Sequence, residues 1–502
     1  MNSQATNTMS TDLKIGIIQN TPLTADLSNN LRQIVQGYRD CLDHGADLII
    51  APACALCGAD VLDLASRQSF IRQTRAALEN LARELGETPL ILGAYSPLFS
   101  HDEDFTLLTD DEETPDLTYT QESRPTSLLT PFLLESNEVT ELEEASCFDL
   151  NGTTIYIALD DEIALPEDQE PDLIIHLPSL PWYAGAATAE EEARQWEARN
   201  NSTPIVCVRH VGTSQGNLYS GGSSLYSSSG STVCRLPFFT GANRVINLAS
   251  AARAKALPTE QELLYLAIER GIRDSVRNNG YSGVCLNLDH ANAPLLAAIC
   301  VEALGRSNVL GVSEEKSPHT ATALNISCRS LATGKLVADA AELTQESADV
   351  LAPRLAAALQ FTIAESRGLL YLSPLSRRDF MTGSFTIYGD SVGLLAPLGN
   401  LYEMDLHMLR GYIAESHPDL FGPLKEPEQP QTDRIIHELA DRNISAGELL
   451  SERICPFQEN DVRLIQRKII ASALKRTQIP LVLHADPPTE QPTLPISHRL
   501  ND

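Results

Sequence analysis

Short runs of Ile, Leu and Val alternate along this chain with longer stretches whose apolar residues recur at helical spacing, which predicts strands alternating with helices. Residues 13–18 read as a strand, 27–42 as an amphipathic helix, and 46–50 as a buried strand after the turn at His44-Gly45. A helix over 69–85 and a strand over 89–93 follow. Residues 99–126 carry Asp102, Glu103, Asp104 and the run Asp110 to Glu113, and read as a polar insertion. Order resumes with strands at 147–150 and 153–159 joined by Asn151-Gly152, then strands at 172–177 and 205–208 around a charged helix at 188–200. Beyond the small-residue stretch 249–258 the pattern predicts helices over 260–278, 317–331, 347–367 and 403–414. Residues 335–337 read as a brief extended piece, and 368–372 as a strand. The implied boundaries are a disordered tail 1–11, a first domain 12–248, a linker 249–258 and a second domain 259–502.

The second half holds one strand–helix–strand unit, with strands at 284–288 and 308–312 and an apolar helix at 295–304. Such a unit seats a phosphate on the free N–H groups that open its helix, with glycines allowing close approach. Its loop here is Asp289-His290-Ala291-Asn292-Ala293-Pro294, without glycine. Asp289 brings a carboxylate where a polyphosphate would sit, and Pro294 removes a donor. Asn292 or Asp289 is positioned to cap the helix.

Charge narrows the class of partner. A formal net charge of −30 over 502 residues argues against nucleic acid or an anionic membrane surface. The lysines are Lys14, Lys255, Lys316, Lys335, Lys425, Lys468 and Lys475, so no chemistry between Ile15 and Ala254 uses an ammonium group. The ten cysteines form no dense framework and no long apolar segment is present, which points to reduced thiols in a cytoplasmic protein. Cys54 and Cys57 have redox or metal spacing without a second pair nearby in sequence, and read as packed thiols, as does Cys147.

Several words of the first half fit one framework: 14–19, Asp26-Leu27 with Asn30, 45–50, and Gly221-Gly222-Ser223. They resemble the nitrilase-type amidase fold, an α-β-β-α sandwich. The resemblance implies a Glu base, a Lys and a Cys nucleophile. The base position is occupied by Ala53, the Lys is excluded by the lysine-free interval, and the nucleophile position falls near Leu159. The second half resembles the ammonia-dependent synthetase domain of glutamine-dependent NAD synthetases, a Rossmann-like parallel-sheet fold of ATP-pyrophosphatase type. That family carries Ser-Gly-Gly-x-Asp-Ser where Asp289 to Pro294 stand here. It carries Thr-Gly-Asn-Lys-Ser-Glu where counting back from Tyr388-Gly389-Asp390 gives Pro374, Leu375, Ser376, Arg377, Arg378 and Asp379. Asp379, Thr386 and Asp390 remain as cofactor-binding candidates, and no metal ligands stand out.

Three functions compete on this reading. The first is a pseudoenzyme lacking ATP and magnesium binding, which acts as an oligomer or as partner of an active NAD synthetase paralogue. The second is an active NAD synthetase using nicotinic acid adenine dinucleotide, ATP and glutamine or ammonia. The third is a remodelled ligand binder or new enzyme built on Asp289, His290, Asp379 and Asp390.

Overall fold

The computed structural model describes residues 13–97, 127–143, 145–166, 169–248, 254–316, 318–424, 430–451 and 455–486. The tail 1–11, the acidic insertion 99–126 and part of the linker 249–258 lie outside these residues. The chain divides into two compact units. One comprises residues 1–180, 189–214 and 219–256, and the other 181–188, 215–218 and 257–502.

The first unit is an α-β-β-α sandwich. One sheet runs in the order Ala242–Asn247, Lys14–Gln19, Leu48–Ile50, Leu90–Pro97, Ser127–Glu135, Glu138–Glu141. The other runs Thr232–Arg235, Ser224–Tyr226, Ile205–Cys207, Leu173–His176, Thr153–Ala158, Cys147–Leu150. Alternation along each strand makes the layers: Ile15, Ile17, Leu48 and Ile50 face Ile155, Ile157, Leu173 and Ile175 between the sheets. Ile18 and Ile49 point the other way, onto helices Leu27–Asp43 and Gln68–Glu84. The first of these helices is started by Asp26, whose carboxylate accepts from the Asn29 N–H at 3.2 Å. The hairpin Ser127–Glu135 and Glu138–Glu141 is absent from the sequence reading, and it turns through Ser136 and Asn137 at φ 51° and 69°.

The second unit is built on a parallel sheet ordered Ser327–Ser330, Val309–Ser313, Gly283–Asn287, Leu369–Leu372, Leu395–Ala396, Leu481–Val482. Helices Glu260–Asn278 and Glu403–Ala414 take the predicted bounds. Helix Ala293–Leu304 is apolar nearly all round because it is buried nearly all round. Two expectations fail here. The helix expected over 317–331 is a short one, His319–Leu324, stopped by Asn325 in the left-handed region at φ 51°, then the edge strand Ser327–Ser330. The extended piece at 335–337 is instead part of helix Gly334–Thr344, which packs on the long helix Ala348–Glu365.

All ten cysteines are free. Among the described residues no helix is long and apolar enough to cross a membrane.

Candidate functional site

In the parallel sheet the chain leaves Gly283–Asn287 toward one edge and returns through Leu369–Leu372 on the other side. The loops after these two strands flank a topological switch point, where open α/β sheets bind their ligands. They are residues 288–292 and 373–376, so the fold brings together the two stretches singled out from the sequence.

The first loop is closed by its own polar groups. The Asp289 N–H donates to Asn287 Oδ1 at 3.0 Å, the Asn292 N–H to His290 Nδ1 at 3.1 Å, and the Ala293 N–H to the His290 carbonyl at 3.0 Å. Pro294 has no N–H to offer. The amides of Asp289, Asn292 and Ala293 are therefore engaged, and that of Pro294 is missing. The Asp289 carboxylate reaches to the end of the neighbouring strand, accepting from Ser313 Oγ at 2.5 Å and the Glu314 N–H at 3.0 Å. Asn292 bridges the crevice: its Nδ2 donates to the Pro374 carbonyl at 3.2 Å, and its Oδ1 accepts from Arg410 at 2.6 Å. Neither Asp289 nor Asn292 caps the helix with its side chain, contrary to expectation, because both are drawn into these cross-links.

The second loop is equally committed. Ser376 and Asp379 form a reciprocal capping box at the start of helix Arg377–Thr382, with the Asp379 carboxylate accepting from Ser376 N–H at 2.8 Å and Oγ at 2.7 Å. Arg377 pairs with Asp441, and Arg378 Nε with Asp433 at 2.6 Å. The Asp390 carboxylate accepts from the Thr386 N–H at 3.3 Å, and the Thr386 carbonyl from Ser391 Oγ at 3.0 Å. His290 lies within the field of Asp379, Asp390 and Glu403; burial pushes its pKa below the usual value against these carboxylates. Of the four polar candidates, His290, Asp379 and Asp390 thus share one neighbourhood, while Asp289 turns to Ser313. Among the described residues no cluster of three or more His, Cys, Asp or Glu is arranged to hold a metal. The cross-linking by Asn292 and Arg410 and the pairing to Asp433 and Asp441 were invisible in the sequence, which carries no local signal for contacts 55 to 118 residues apart.

In the first unit the two matched positions are packed. Ala53 is fully buried, and strand Leu90–Pro97 passes so close that a Cβ on Gly93 would lie 2.7 Å from the Ala53 backbone. Leu159 packs against the apolar layer between the sheets. Beside Ala53, the Cys54 thiol meets Ser179 Oγ at 3.0 Å, and burial pushes it up to about 12. Burial likewise raises the Cys57 thiol. These are protonated, unreactive thiols. Cys147 sits on a strand opposite Tyr156, with its thiol also raised by burial.

His210 stands on the Tyr219 ring at a centroid distance of 4.3 Å, 2% exposed, and neither ring nitrogen has a hydrogen-bond partner among the described residues. Burial lowers its pKa to about 4. The folded unit therefore refuses a proton that the unfolded chain accepts near pH 6.5. Its contribution to stability is complete above that pH and is lost as the pH falls toward 4, in all about 3 kcal/mol. Denaturant titrations at pH 7.5 and 4.5 should show this loss, and His210→Phe should remove about 2 kcal/mol of it. Equal pH slopes for the two proteins would exclude His210 as the source.

Residues 264–427 match the NAD synthase family model. The glutamine-dependent NAD(+) synthetase of Synechocystis sp. is 23% identical, over 92% of this chain and 94% of that protein. The chain resembles the NAD synthetase family over nearly its whole length. A second family member, the glutamine-dependent NAD(+) synthetase of Thermotoga maritima, is 23% identical over 79% of this chain and 80% of its own length. The fold extends over both units of this NAD synthetase relative. The synthetase structure from Cytophaga hutchinsonii superposes with a TM-score of 0.78 over 97% of both chains at 12% identity. That from Acinetobacter baumannii, solved in complex with ADP, gives 0.68 over 93% of this chain and 94% of its own at 17% identity.

Proposed function

We propose that this chain is a pseudoenzyme of the NAD synthetase family, a cytoplasmic scaffold that acts through association with other chains, an active NAD synthetase paralogue foremost among them. The observation that carries this reading is the hydrogen bond from Asn292 to Pro374 across the switch point, in a loop where the amides of Asp289, Asn292 and Ala293 are engaged and Pro294 has none. The residues present do not fit a nucleotide triphosphate. The crevice has no glycine in its first loop, and the arginines of its second loop are paired with Asp441 and Asp433. Losing one well-placed contact to a reacting group costs about 10²-fold or more in rate, and here several are replaced together. Ala53 and Leu159 supply neither base nor nucleophile in the first unit.

The second reading, an active synthetase converting nicotinic acid adenine dinucleotide to NAD, is favoured by the full-length similarity to proteins that bear that name. One assay separates the two. Purified protein with ATP, magnesium, the dinucleotide acid and either glutamine or ammonia is expected to form no NAD. Turnover at an ordinary enzymatic rate with ammonia overturns the pseudoenzyme reading for the second unit, and turnover with glutamine overturns it for both. Light scattering should report an oligomer at micromolar concentration, and affinity purification from native cells should retrieve a synthetase paralogue; a monomer with no such companion counts against the scaffold role.

A further inference from the structure

A cavity of about 240 Å³ opens among helices Glu260–Asn278, Ala293–Leu304 and Glu403–Ala414 of the second unit. It is separate from the switch point: Glu302, on its wall, lies about 15 Å along the helix from Asn292 at 1.5 Å per residue. Two tyrosines from different helices meet there, Tyr265 and Tyr412, with ring centroids 5.1 Å apart and planes at 44°. Glu302, Glu415, Ser416 and His417 complete the polar part of the lining.

The charges around this cavity do not balance. Glu269, one turn along from Tyr265, is paired with Arg273, whose Nε also donates to the Ala303 carbonyl at 3.1 Å. Among the described residues neither Glu302 nor Glu415 has an arginine or lysine within ion-pair reach, and Glu302 meets only His417, at 3.3 Å. Two carboxylates without an arginine or lysine partner, one of them meeting only a histidine, stand beside two tyrosine rings in a concave site and attract an organic cation, since ring quadrupoles and carboxylates act with the same sign.

We infer that this cavity binds a primary alkylammonium group, carried either by a free polyamine or by a lysine side chain of another protein. The inference is independent of whether the chain makes NAD. It is tested on the full-length protein by calorimetric titration with spermidine in one arm and N-acetyl-lysine methylamide in the other, with butanol as the uncharged control. Saturable binding of spermidine alone assigns a free polyamine, and binding of the lysine derivative assigns a protein side chain. Glu302→Gln and Tyr412→Leu should each weaken binding about tenfold, the loss expected for one charge or one cation–π contact in a partly enclosed site. No saturable binding of either amine, butanol binding as well as the amines, or unchanged binding by folded variants would overturn it. Should a variant fail to fold, the amine-against-butanol comparison on the parent protein still decides.

Discussion

An Asp441→Ala variant is expected to lose about 3–5 kcal/mol of stability in the second unit, lowering its melting transition by roughly 10 °C. The Asp441 side chain is 8% exposed and serves three donors: Arg377, Tyr402 Oη at 2.5 Å, and His437 Nδ1 at 3.3 Å. Burial alone would raise its pKa, yet these donors hold it below the usual carboxylate range. Truncation leaves a mostly buried guanidinium and a buried phenol without their acceptor, which costs more than the pair contributes when intact. Asp441→Asn keeps an acceptor oxygen and should cost less. A loss under about 1 kcal/mol for Asp441→Ala would mean that Arg377 is held elsewhere and is free to meet an anion, which would weaken the pseudoenzyme reading as well. The pH dependence follows from the sign of the shift. Stability from Asp441 is present above the ordinary carboxylate pKa and is lost as the pH falls through its lowered value. His437 runs the other way: its hydrogen bond to Asp441 raises its pKa, so its contribution is present below about pH 6.5 and fades as the pH rises through the raised value.

How much of this was legible beforehand depended on whether the information was local. Helices 260–278 and 403–414 were readable because amphipathic spacing and end signals coincide, as at Thr259, whose hydroxyl accepts from the Glu262 N–H at 3.2 Å. The strand Ser127–Glu135 was missed because Pro131 sits in its middle, and proline speaks against an interior strand. Here Pro131 pairs across to Gly93, and its carbonyl accepts from the Leu142 N–H at 2.9 Å. Residues 335–337 read as extended but belong to a helix opened by Gly334, since the burial of Val337 outweighs the weak propensity of one glycine. At the candidate site, the lack of glycine between 289 and 294 was plain in the sequence. What fills the space was not: Asn292, Arg410 and Pro374 meet only through the tertiary fold. The same holds for Asp379, whose oxygen chemistry was recognised but whose commitment to a capping box depends on Ser376 taking an N-cap conformation.

The largest effect in the first unit is expected from Arg194→Ala, again about 3–5 kcal/mol. Arg194 lies under the outer face of the second sheet, 4% exposed, with Nε 2.8 Å from Glu197 and Nη2 donating to the Asp161 carbonyl at 2.7 Å. Its Nη1 is 3.1 Å from His176 Nδ1, and His176 is held neutral by burial and by the same guanidinium. Removing the arginine strands Glu197, whose carboxyl burial already pushes up in pKa. The double variant Arg194→Ala, Glu197→Gln should therefore recover part of the loss, because a neutral amide tolerates the buried position better than an unpaired charge. If the two losses simply add, the guanidinium acts through Asp161 and His176 rather than through Glu197. Such a charge cluster is retained although it contributes little net stability over an apolar replacement. In the first unit, as in the second, buried ionic groups hold loops and helices in place, and breaking one of them should damage the fold.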